Sequence, residues 1–371
     1  MSGDPLVSVL LPVYNGERHL AEAVESVLAQ TYPCWALTIV DNCSADGTPG
    51  IAADYAARDG RIRVHRNPRF VDVIDNHNIA FRLVPPASAY VKVLHADDWL
   101  FPRCLAEMVA LAEAHPSVGL VGAYALRGAW VDLDGLPYPS TVVPGRVLGR
   151  LGLLGGPYVF GSPSSVLFRA DLVRGRDPFF EPGSLHADEA ACYEVLKSAD
   201  FGFVHQVLTF TRQHPGSVSA SVARRYNTYL AGNLAILVRY GPVFLSPAEY
   251  ERRLQQRVRQ YYRYLAESVL ERREPEFWAY HRAALQRAGL RLDRARLART
   301  LAAEVLHALA CPPRAVARMT RLLPRRAARP PDATAAAVAA AAAHWEAKAA
   351  ERRQAAVVVD RTLPDADRTR R

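Results

Sequence analysis

Two kinds of segment alternate over residues 7–114, and this alternation constrains the fold more than any other feature of the chain. Apolar, β-branched runs such as VSVLLPVYN (7–15) and WALTIVDN (35–42) precede stretches with helical spacing, the first with apolar residues at positions 20, 23, 24, 27 and 28. Strands that alternate with helices of this length predict βαβ units and a parallel sheet covered on both faces. We therefore expect an α/β fold with a mostly parallel sheet flanked by helices, one of them over 76–84.

Polar side chains stand where three of the predicted strands end. They are Tyr14 and Asn15 after the first strand, Asp41, Asn42, Ser44 and Asp46 after the second, and Asp97 and Asp98 after the fourth. The carboxyl ends of parallel strands share one edge of a sheet, and ligands gather at that edge. The sequence therefore predicts one cleft in which the three clusters meet.

Two adjacent carboxylates follow a mostly apolar run in the segment YVKVLHADDWLFP (90–102). Asp97 and Asp98 repel each other and lose solvation at a strand end, so a metal ion or another positive partner is expected beside them. The alternative is a simple cap for the helix predicted over 102–114, because aspartate is favoured at a helix N-terminus.

Four segments in this order resemble the inverting family 2 glycosyltransferases, which have a nucleotide-sugar-binding GT-A fold. The segments are VSVLLPVYNGERHLAEAVESVLAQTYP, LTIVDNCSADGT, VKVLHADDWLFP and TRQHPGSVS, and the resemblance covers about residues 5–220. The first strand is not followed by G-x-G-x-x-G, which argues against a dinucleotide-binding fold. The resemblance implies an inverting, metal-dependent transfer of a sugar from a nucleotide donor, expected to be UDP-linked, to a hydroxyl acceptor in a glycan, polysaccharide or glycolipid.

The resemblance implies a donor pocket at the first two strand ends. Asp41 would accept a hydrogen bond from the ring N–H of uracil, and Arg212 and His214 would contact the diphosphate or the metal. The other residues expected to bind the donor are Pro12, Val13, Tyr14, Asn15, Glu17, Asn42, Ser44 and Asp97. For the segment around His214, a plain turn with a surface ion pair is the alternative.

The resemblance also implies a metal site for Mn²⁺ or Mg²⁺ that would hold the donor diphosphate. Members of the family commonly read L-D-x-D-D at this point, whereas this chain reads L-H-A-D-D. The predicted ligands are Asp98, Asp97 and His95, the last in place of the usual first acid. A reduced affinity for metal is the alternative consequence of that replacement.

A second acidic pair, Asp188 and Glu189, begins a predicted helix where family members carry an E-D pair. An inverting transfer needs one base that takes the proton from the acceptor hydroxyl. The register favours Glu189, whereas the residue type favours Asp188, and both stay open as the catalytic base. For the other acid, stabilisation of the helix N-terminus is a sufficient explanation.

Charge divides the chain near residue 220. Residues 1–220 hold 17 Lys and Arg against 23 Asp and Glu, whereas residues 221–371 hold 29 against 14. We expect a GT-A domain over 1–220, a basic helical region over 221–330, and an Ala-rich helix with a disordered tail over 331–371. The basic region reads either as a solvated helical subdomain or as a surface that rests on anionic membrane near a lipid-linked acceptor. It has no recognised nucleic-acid-binding motif, so nucleic acid is not an expected partner.

The first residues, MSGDPL, lack the basic and apolar runs of a signal peptide, and no stretch of 18 uncharged apolar residues occurs. The expected location is the cytoplasm, either free or bound peripherally at the inner face of the membrane. Two other functions stay open: a related enzyme that handles nucleotidyl or sugar-phosphate groups, and a catalytically weakened homologue that binds nucleotide sugar or scaffolds an assembly complex. The oligomeric state is not indicated by the sequence.

Overall fold

The computed structural model describes residues 3–138, 140–214 and 222–310. Within these residues the chain separates into two compact units. The first contains the residues up to 152 and those from 157 to 214, and the second contains 153–156 and the residues from 222 onward. The domain boundaries derived from the sequence stay predictions, and the Ala-rich helix and tail expected over 331–371 lie outside the described residues.

Ten strands of the described residues form one sheet. They are β1 (Val7–Val13), β2 (Trp35–Asp41), β3 (Ile62–Arg66), β4 (Tyr90–Val93), β5 (Trp99–Leu100), β6 (Val118–Arg127), β7 (Trp130–Asp132), β8 (Val142–Val143), β9 (Val166–Arg169) and β10 (Asp200–Thr211). Their order across the sheet is β3-β2-β1-β4-β9-β6-β10-β5, with β7 beside β6 and β8 beside β10.

Helices follow most of these strands. They are α1 (Leu20–Leu28), α2 (Thr48–Arg58), α3 (Val73–Arg82), α4 (Cys104–Ala114), α5 (Gly145–Leu154), α6 (Ala170–Arg174) and α7 (Ala187–Leu196), with a 3₁₀ helix at Pro163–Ser165. The second unit contributes α8 (Arg224–Tyr226), α9 (Thr228–Phe244), α10 (Pro247–Leu270), α11 (Pro275–Arg287) and α12 (Arg294–Ala310). The predicted α/β fold with an added helical region is confirmed.

The sheet is parallel where the sequence signal is strongest and mixed beyond it. β1 to β4 run parallel to one another, as β6 and β10 do. β9 runs antiparallel between β4 and β6, and β5 runs antiparallel beside β10 with Trp99 opposite Phe210. This last pairing brings the segment that follows β10 next to the two acids that precede β5.

The apolar core determines where each strand begins and ends. All seven residues of β1 and all four of β4 are buried. Val9 and Leu11 of β1 belong to the same buried cluster as Leu20 and Val24 of α1. Full burial of such a side chain stabilises the fold by about 1.5–3 kcal/mol. Sliding a strand along its neighbours would lose several of these contributions, so the positions of the strand ends are well determined.

Two helices begin at residues other than those that the sequence predicts. α3 begins at Val73 instead of 76, because the carboxylate of Asp72 accepts the backbone N–H of Asp75 at 2.9 Å and caps the helix earlier. α4 begins at Cys104 instead of 102, because Trp99–Leu100 is taken up by the short strand β5. The prediction of 76–84 was therefore wrong at its start by three residues.

The second unit is a set of helices around its own apolar cluster. The cluster includes Leu234, Tyr261, Leu265, Phe277 and Leu285, all of them buried. α10 begins with a capping box between its N-cap serine and the glutamate three residues on. Within the described residues, we find no helix with the length and hydropathy needed to cross a membrane.

Candidate functional site

The loop after β1 is tied to the loop after β2 by reciprocal hydrogen bonds. Asn15 has a left-handed backbone (φ 49°), which asparagine adopts more readily than most residues. Its N–H donates to Ser44 Oγ at 2.8 Å, and its Oδ1 accepts the N–H of Ala45 at 2.9 Å. The predicted ligand residues Asn15 and Ser44 therefore lie together and stabilise the shape of the pocket edge.

Glu17 and the glycine before it extend this connection. Glu17 Oε2 accepts the N–H of Gly47 at 2.6 Å, and the N–H of Glu17 donates to Asp46 Oδ2 at 3.1 Å. A Cβ on Gly16 would lie 2.5 Å from Val13 Cγ2, so a larger residue would displace the loop. Val13, like Pro12, is buried within β1, so these two predicted pocket residues contribute backbone and packing at this edge.

Two aromatic rings stand exposed beside these loops. Tyr14 is 52% exposed and Phe70 is 58% exposed, and their ring centroids lie 4.8 Å apart in an edge-to-face arrangement. Exposed aromatic rings of this kind offer apolar faces for a flat ligand. Phe70 was not predicted from the sequence, because it lies in a loop with no periodic pattern.

Asp41 ends β2 and is 1% exposed. Its Oδ1 accepts the N–H of Ser44 at 3.0 Å. Its Oδ2 receives no hydrogen bond from any described residue, although Arg66 Nε lies 3.4 Å away. A buried acceptor without a donor costs about 1–3 kcal/mol, so this oxygen is available to an N–H donor of a ligand.

Asn42 is engaged by the protein itself. Its Oδ1 accepts from Asn67 Nδ2 and from the N–H of Val71, both at 3.0 Å, and its Nδ2 donates to the carbonyl of Val71 at 2.8 Å. Asn67 also donates to Asn76 Oδ1 at 2.8 Å. The side chain predicted to contact the donor therefore positions the segment that carries Phe70.

The acids after β4 meet two residues that follow β10. Asp98, 3% exposed, accepts the N–H of Arg212 at Oδ1 (3.0 Å), and Arg212 Nε donates to the carbonyl of Asp97 at 3.0 Å. His214 Nε2 donates to Asp97 Oδ2 at 2.9 Å. The guanidinium of Arg212 also pairs with Glu22. The structure thus brings together two pairs of residues, Asp97 with Asp98 and Arg212 with His214, that are more than 110 positions apart along the chain.

The predicted metal ligands form a compact group. One ligand atom from each of His95, Asp97 and Asp98 lies within 4.8 Å of the others. Asp98 Oδ2 has no hydrogen-bond donor among the described residues, and it lies 4.0 Å from His95 Nδ1. This buried carboxylate oxygen lacks a donor and lies beside an imidazole and a second carboxylate. Such a set of ligand groups fits a divalent cation.

The two carboxyl groups of this site have opposite pKa shifts. Burial raises the pKa of Asp98 above its usual value. Burial also acts to raise the pKa of Asp97, but the charge of His95 and the hydrogen bond from His214 outweigh it and lower that pKa. Asp97 is therefore the carboxylate that stays ionised most readily, and Asp98 is the one that gains most from a nearby cation.

His77 of α3 contacts the ring of His95 and was not predicted from the sequence. Its Nε2 lies 3.1 Å from His95 Nε2, and its Nδ1 lies 2.6 Å from the carbonyl oxygen of Val73. Burial, together with the charge of His95, lowers the pKa of His77 to about 3. The available signal was the run Asn-His-Asn at 76–78, three consecutive polar residues in a helix that packs on a sheet.

A narrow cleft lies near this group; it is partly open to solvent and, in this structure, too tight to hold a water molecule. Its lining consists of Phe160, Gly161, Ser162, Pro163, Val166, Phe168, Phe180, Asp188 and Cys192. Burial raises the pKa of Asp188, although the backbone N–H of Glu189 and the charge of His95 act in the opposite direction. Of the two predicted bases, Asp188 is the one that lines the cleft.

α3 also holds one wall of the cleft in place. Asn78 Nδ2 donates to the carbonyl of Phe180 at 2.8 Å, and Asn78 Oδ1 accepts the N–H of Phe180 at 2.8 Å. On the opposite side, Ser164 Oγ accepts the N–H of His95 at 3.0 Å. The 3₁₀ helix is thus tied to His95 of the metal-ligand group, and the Phe180 segment is tied to α3, the helix that carries His77.

The sheet order and the side chains at the ends of β1, β2 and β4 define a GT-A nucleotide-sugar-binding fold. Residues 8–174 match the family model described as glycosyl transferase family 2. The family resemblance expected from the sequence is confirmed.

Three known proteins are similar to the chain. EpsE of Bacillus subtilis (strain 168), whose given name proposes glycosyltransferase activity, is 35% identical over 153 residues, 39% of this chain and 54% of that protein. The chain thus spans about half the length of this curated relative. Residues 1–349 of S. aureus TarS in complex with UDP-GlcNAc share the fold with a TM-score of 0.56 and 17% identity, over 75% of this chain and 79% of that one. The mannosyltransferase PcManGT from Pyrobaculum calidifontis, in complex with GDP-Man and Mn²⁺, has a TM-score of 0.50 and 18% identity, over 87% of this chain and 86% of that one.

Proposed function

We propose that the protein is a metal-dependent, inverting glycosyltransferase that moves a sugar from a nucleotide-sugar donor to a hydroxyl acceptor. The observation that carries the proposal is the buried Asp98 Oδ2, which has no donor among the described residues and faces His95 Nδ1 beside Asp97. The match of residues 8–174 to the glycosyl transferase family 2 model supports the reaction class.

The donor base would bind between Asp41 and the exposed aromatic rings. Asp41 Oδ2 is a buried acceptor that would take the imide N–H of uracil, while Tyr14 and Phe70 would contact the base by their ring faces. The UDP-GlcNAc complex of TarS supports a uridine nucleotide as the donor. The GDP-Man complex of PcManGT makes guanosine the second candidate, because guanine also has a ring N–H.

His95, Asp97 and Asp98 would hold the divalent cation. When bound, Mn²⁺ or Mg²⁺ would neutralise charge on the diphosphate and assist its departure. Arg212 adds a second positive charge at the same place, and its guanidinium is held by Glu22 and by the carbonyl of Asp97. Arg212, which would bind the phosphates, is therefore hydrogen-bonded to Asp97 and Asp98, which would bind the metal.

Asp188 would act as the base. Its carboxylate would accept the proton of the acceptor hydroxyl while the hydroxyl oxygen forms a bond to the anomeric carbon. The bond from that carbon to the diphosphate oxygen breaks, and the electron pair leaves with the nucleoside diphosphate. The place of Asp188 in the lining of the cleft and its raised pKa support this role over Glu189, which the register favoured.

The acceptor is proposed to be a carbohydrate or a lipid-linked glycan. A peripheral contact of the basic residues after 220 with anionic membrane belongs to the same proposal, because 29 Lys and Arg stand against 14 Asp and Glu there.

The test is a panel of nucleotide sugars offered to the full chain with Mn²⁺, Mg²⁺ or EDTA. We expect slow, metal-dependent release of UDP from one UDP-sugar, with inverted configuration in the first sugar product seen by NMR. Failure of every nucleoside diphosphate to bind, with or without metal, would overturn the proposal. Donor binding without transfer to any acceptor would favour the weakened homologue, for which the replacement of the usual acid by His95 is the supporting observation.

A further inference from the structure

We propose that His77 is a positioning residue that fixes His95 with its Nδ1 lone pair toward Asp98. The metal site then offers one imidazole nitrogen among its ligands, which favours Mn²⁺ over Mg²⁺. This inference rests on the proposed function, because it concerns the metal site of that reaction.

His77 Nδ1 lies 2.6 Å from the carbonyl oxygen of Val73, one helical turn earlier in α3. A carbonyl oxygen can only accept a hydrogen bond, so Nδ1 of His77 carries the proton. The contact also holds the ring in one orientation, with Nε2 directed away from the helix backbone.

The contact between the two rings needs one proton between their Nε2 atoms. His77 is 6% exposed, and its contacts among the described residues are the Val73 carbonyl, the His95 ring and the Phe180 ring. A charged imidazole would be costly there, because none of these partners is a carboxylate. A neutral His77 that is protonated at Nδ1 has a lone pair at Nε2. His95 Nε2, 3.1 Å away, must therefore donate the proton of that contact.

With the Nε2 proton held by His77, Nδ1 is the nitrogen of His95 that remains for a metal ion, and it lies 4.0 Å from Asp98 Oδ2. That oxygen has no hydrogen-bond donor among the described residues. A divalent cation between this nitrogen and this oxygen would displace any proton on Nδ1 and would be bound by both atoms. Ligand histidines in metal sites are oriented in the same way by a partner at their other ring nitrogen.

The consequence is a preference among metals. Mg²⁺ requires near-ideal octahedral geometry with oxygen ligands, whereas Mn²⁺, although it also suits carboxylates, is a first-row transition metal and accepts an imidazole nitrogen more readily. A site with one nitrogen and two carboxylates should thus bind Mn²⁺ more tightly than Mg²⁺. The replacement of an acid by His95 would then change which metal binds, without removing the site.

The tautomers can be observed before any metal is added. Long-range ¹H–¹⁵N spectra of the full chain labelled at histidine, at neutral pH and in EDTA, distinguish Nδ1–H from Nε2–H rings. The signals are assigned by their loss in His77→Gln and His95→Asn. We expect His77 as the neutral Nδ1–H form and His95 with a proton on Nε2. A His95 ring whose single proton lies on Nδ1, or a His77 ring protonated at Nε2, would overturn the inference.

Metal binding is measured by Mn²⁺ electron paramagnetic resonance in the presence of UDP, with Mg²⁺ as competitor. His77→Leu should weaken Mn²⁺ binding by about 10–100-fold, the usual effect of losing such a partner, and should reduce the preference over Mg²⁺. His77→Gln keeps an acceptor oxygen and should retain most of both. His205→Leu is the matched control, since His205 also bonds through both ring nitrogens, to Tyr124 and Ser140, away from the three ligands.

Two further measurements distinguish failure of this inference from failure of the proposed function. Electron spin echo spectra of the Mn²⁺ complex should show a directly bound imidazole nitrogen in the wild type and none in His95→Asn. Tight Mn²⁺ binding without a nitrogen signal, or an unchanged metal preference in His77→Leu, would overturn the inference and leave the proposed function standing. A wild type that binds no Mn²⁺ would contradict both.

Discussion

Asp41 and Asp98 have the same arrangement at two different strand ends. In each, one carboxylate oxygen accepts a backbone N–H, from Ser44 or from Arg212, and the other has no donor among the described residues. Leaving a buried oxygen in this state reduces the stability of the empty site. The structure thus keeps two acceptors ready for ligand groups, one expected to be an N–H and the other a cation.

For the cation, we expect Asp98→Ala to reduce Mn²⁺-dependent UDP binding by about 100-fold or more, because a carboxylate ligand of the ion is lost. The fold should survive, since burial raises the pKa of Asp98 and ionising it in the folded state is unfavourable. Calorimetry with UDP and Mn²⁺ measures the effect. Asp59→Asn, which alters an exposed ion pair with Arg61, is the control. Unchanged affinity in Asp98→Ala would remove Asp98 from the metal site.

For the N–H, we expect Asp41→Ala to lower UDP affinity by about ten- to a hundredfold, the equivalent of about 1–3 kcal/mol. CDP should bind the wild type weakly and should be affected less, because cytosine has no imide N–H. The ratio of UDP to CDP affinity, measured by calorimetry in both proteins, reports the effect. Equal binding of CDP and UDP by the wild type would contradict this role.

For the base, we expect Asp188→Asn to leave donor affinity nearly unchanged while turnover falls by a factor of about 10²–10⁴. Burial raises the pKa of Asp188, and the base works only when ionised. Wild-type turnover should therefore fall, as the pH decreases, through a pKa above the ordinary value of about 3.9. Rates over a pH series check the position of that limb, and Glu189→Gln serves as the matched variant. A split between binding and turnover in Glu189→Gln alone would assign the base to Glu189.

At the scale of elements, α3 joins the metal-ligand group to the cleft through neighbouring residues. His77 contacts the ring of His95, while Asn78 forms two hydrogen bonds with the backbone of Phe180. The N-terminal cap by Asp72 sets the start of the helix and hence the face that these side chains occupy. A shift of one residue in this helix would turn both away from their partners.

We expect Asn78→Ala to lower the free energy of unfolding by about 1–3 kcal/mol, because a buried N–H and a buried carbonyl of Phe180 lose their partner. The Phe180 segment should also exchange its amide hydrogens faster, since its anchor to α3 is gone. Chemical denaturation and hydrogen exchange measure the two effects. Asp75→Asn, on the same helix and only partly buried, should change neither. Wild-type protection of the Phe180 segment in Asn78→Ala would show that other contacts hold it.

At the scale of the molecule, charge and fold divide the chain in the same region. Residues 1–220 are acidic overall and residues 221–371 are basic, and the two compact units of the described residues separate at that point. Opposite net charges suit different partners, a cation-assisted nucleotide for the first unit and an anionic surface for the second.

We expect the full chain to sediment with vesicles that contain anionic lipid and to remain in the supernatant with neutral vesicles. The association should weaken as salt rises from about 0.1 M to 1 M, because the Debye length falls from about 10 Å to 3 Å. A sedimentation series over lipid composition and salt measures this. Equal behaviour with neutral and anionic vesicles would favour the solvated helical subdomain.

The sequence by itself determined the strands β1 to β4, the helices between them and the shared edge at which they end. Their signals are local, since periodicity and flanking polar residues depend on near neighbours along the chain. The parallel βαβ connection then places successive strand ends on one edge. Asp41, Asp97 and Asp98 could be selected on that basis alone.

Only the tertiary structure decided which distant residues complete the site. The family resemblance placed Arg212 and His214 at the site, but no local pattern predicts the antiparallel pairing of β5 with β10 that brings them to Asp97 and Asp98. The same holds for His77. Its contact with His95 depends on the start of α3 at Val73, whose carbonyl oxygen holds the His77 ring, and on the orientation of both rings. Pairing energies and ring contacts of this kind arise between segments far apart in sequence, so they exist only once the chain has folded.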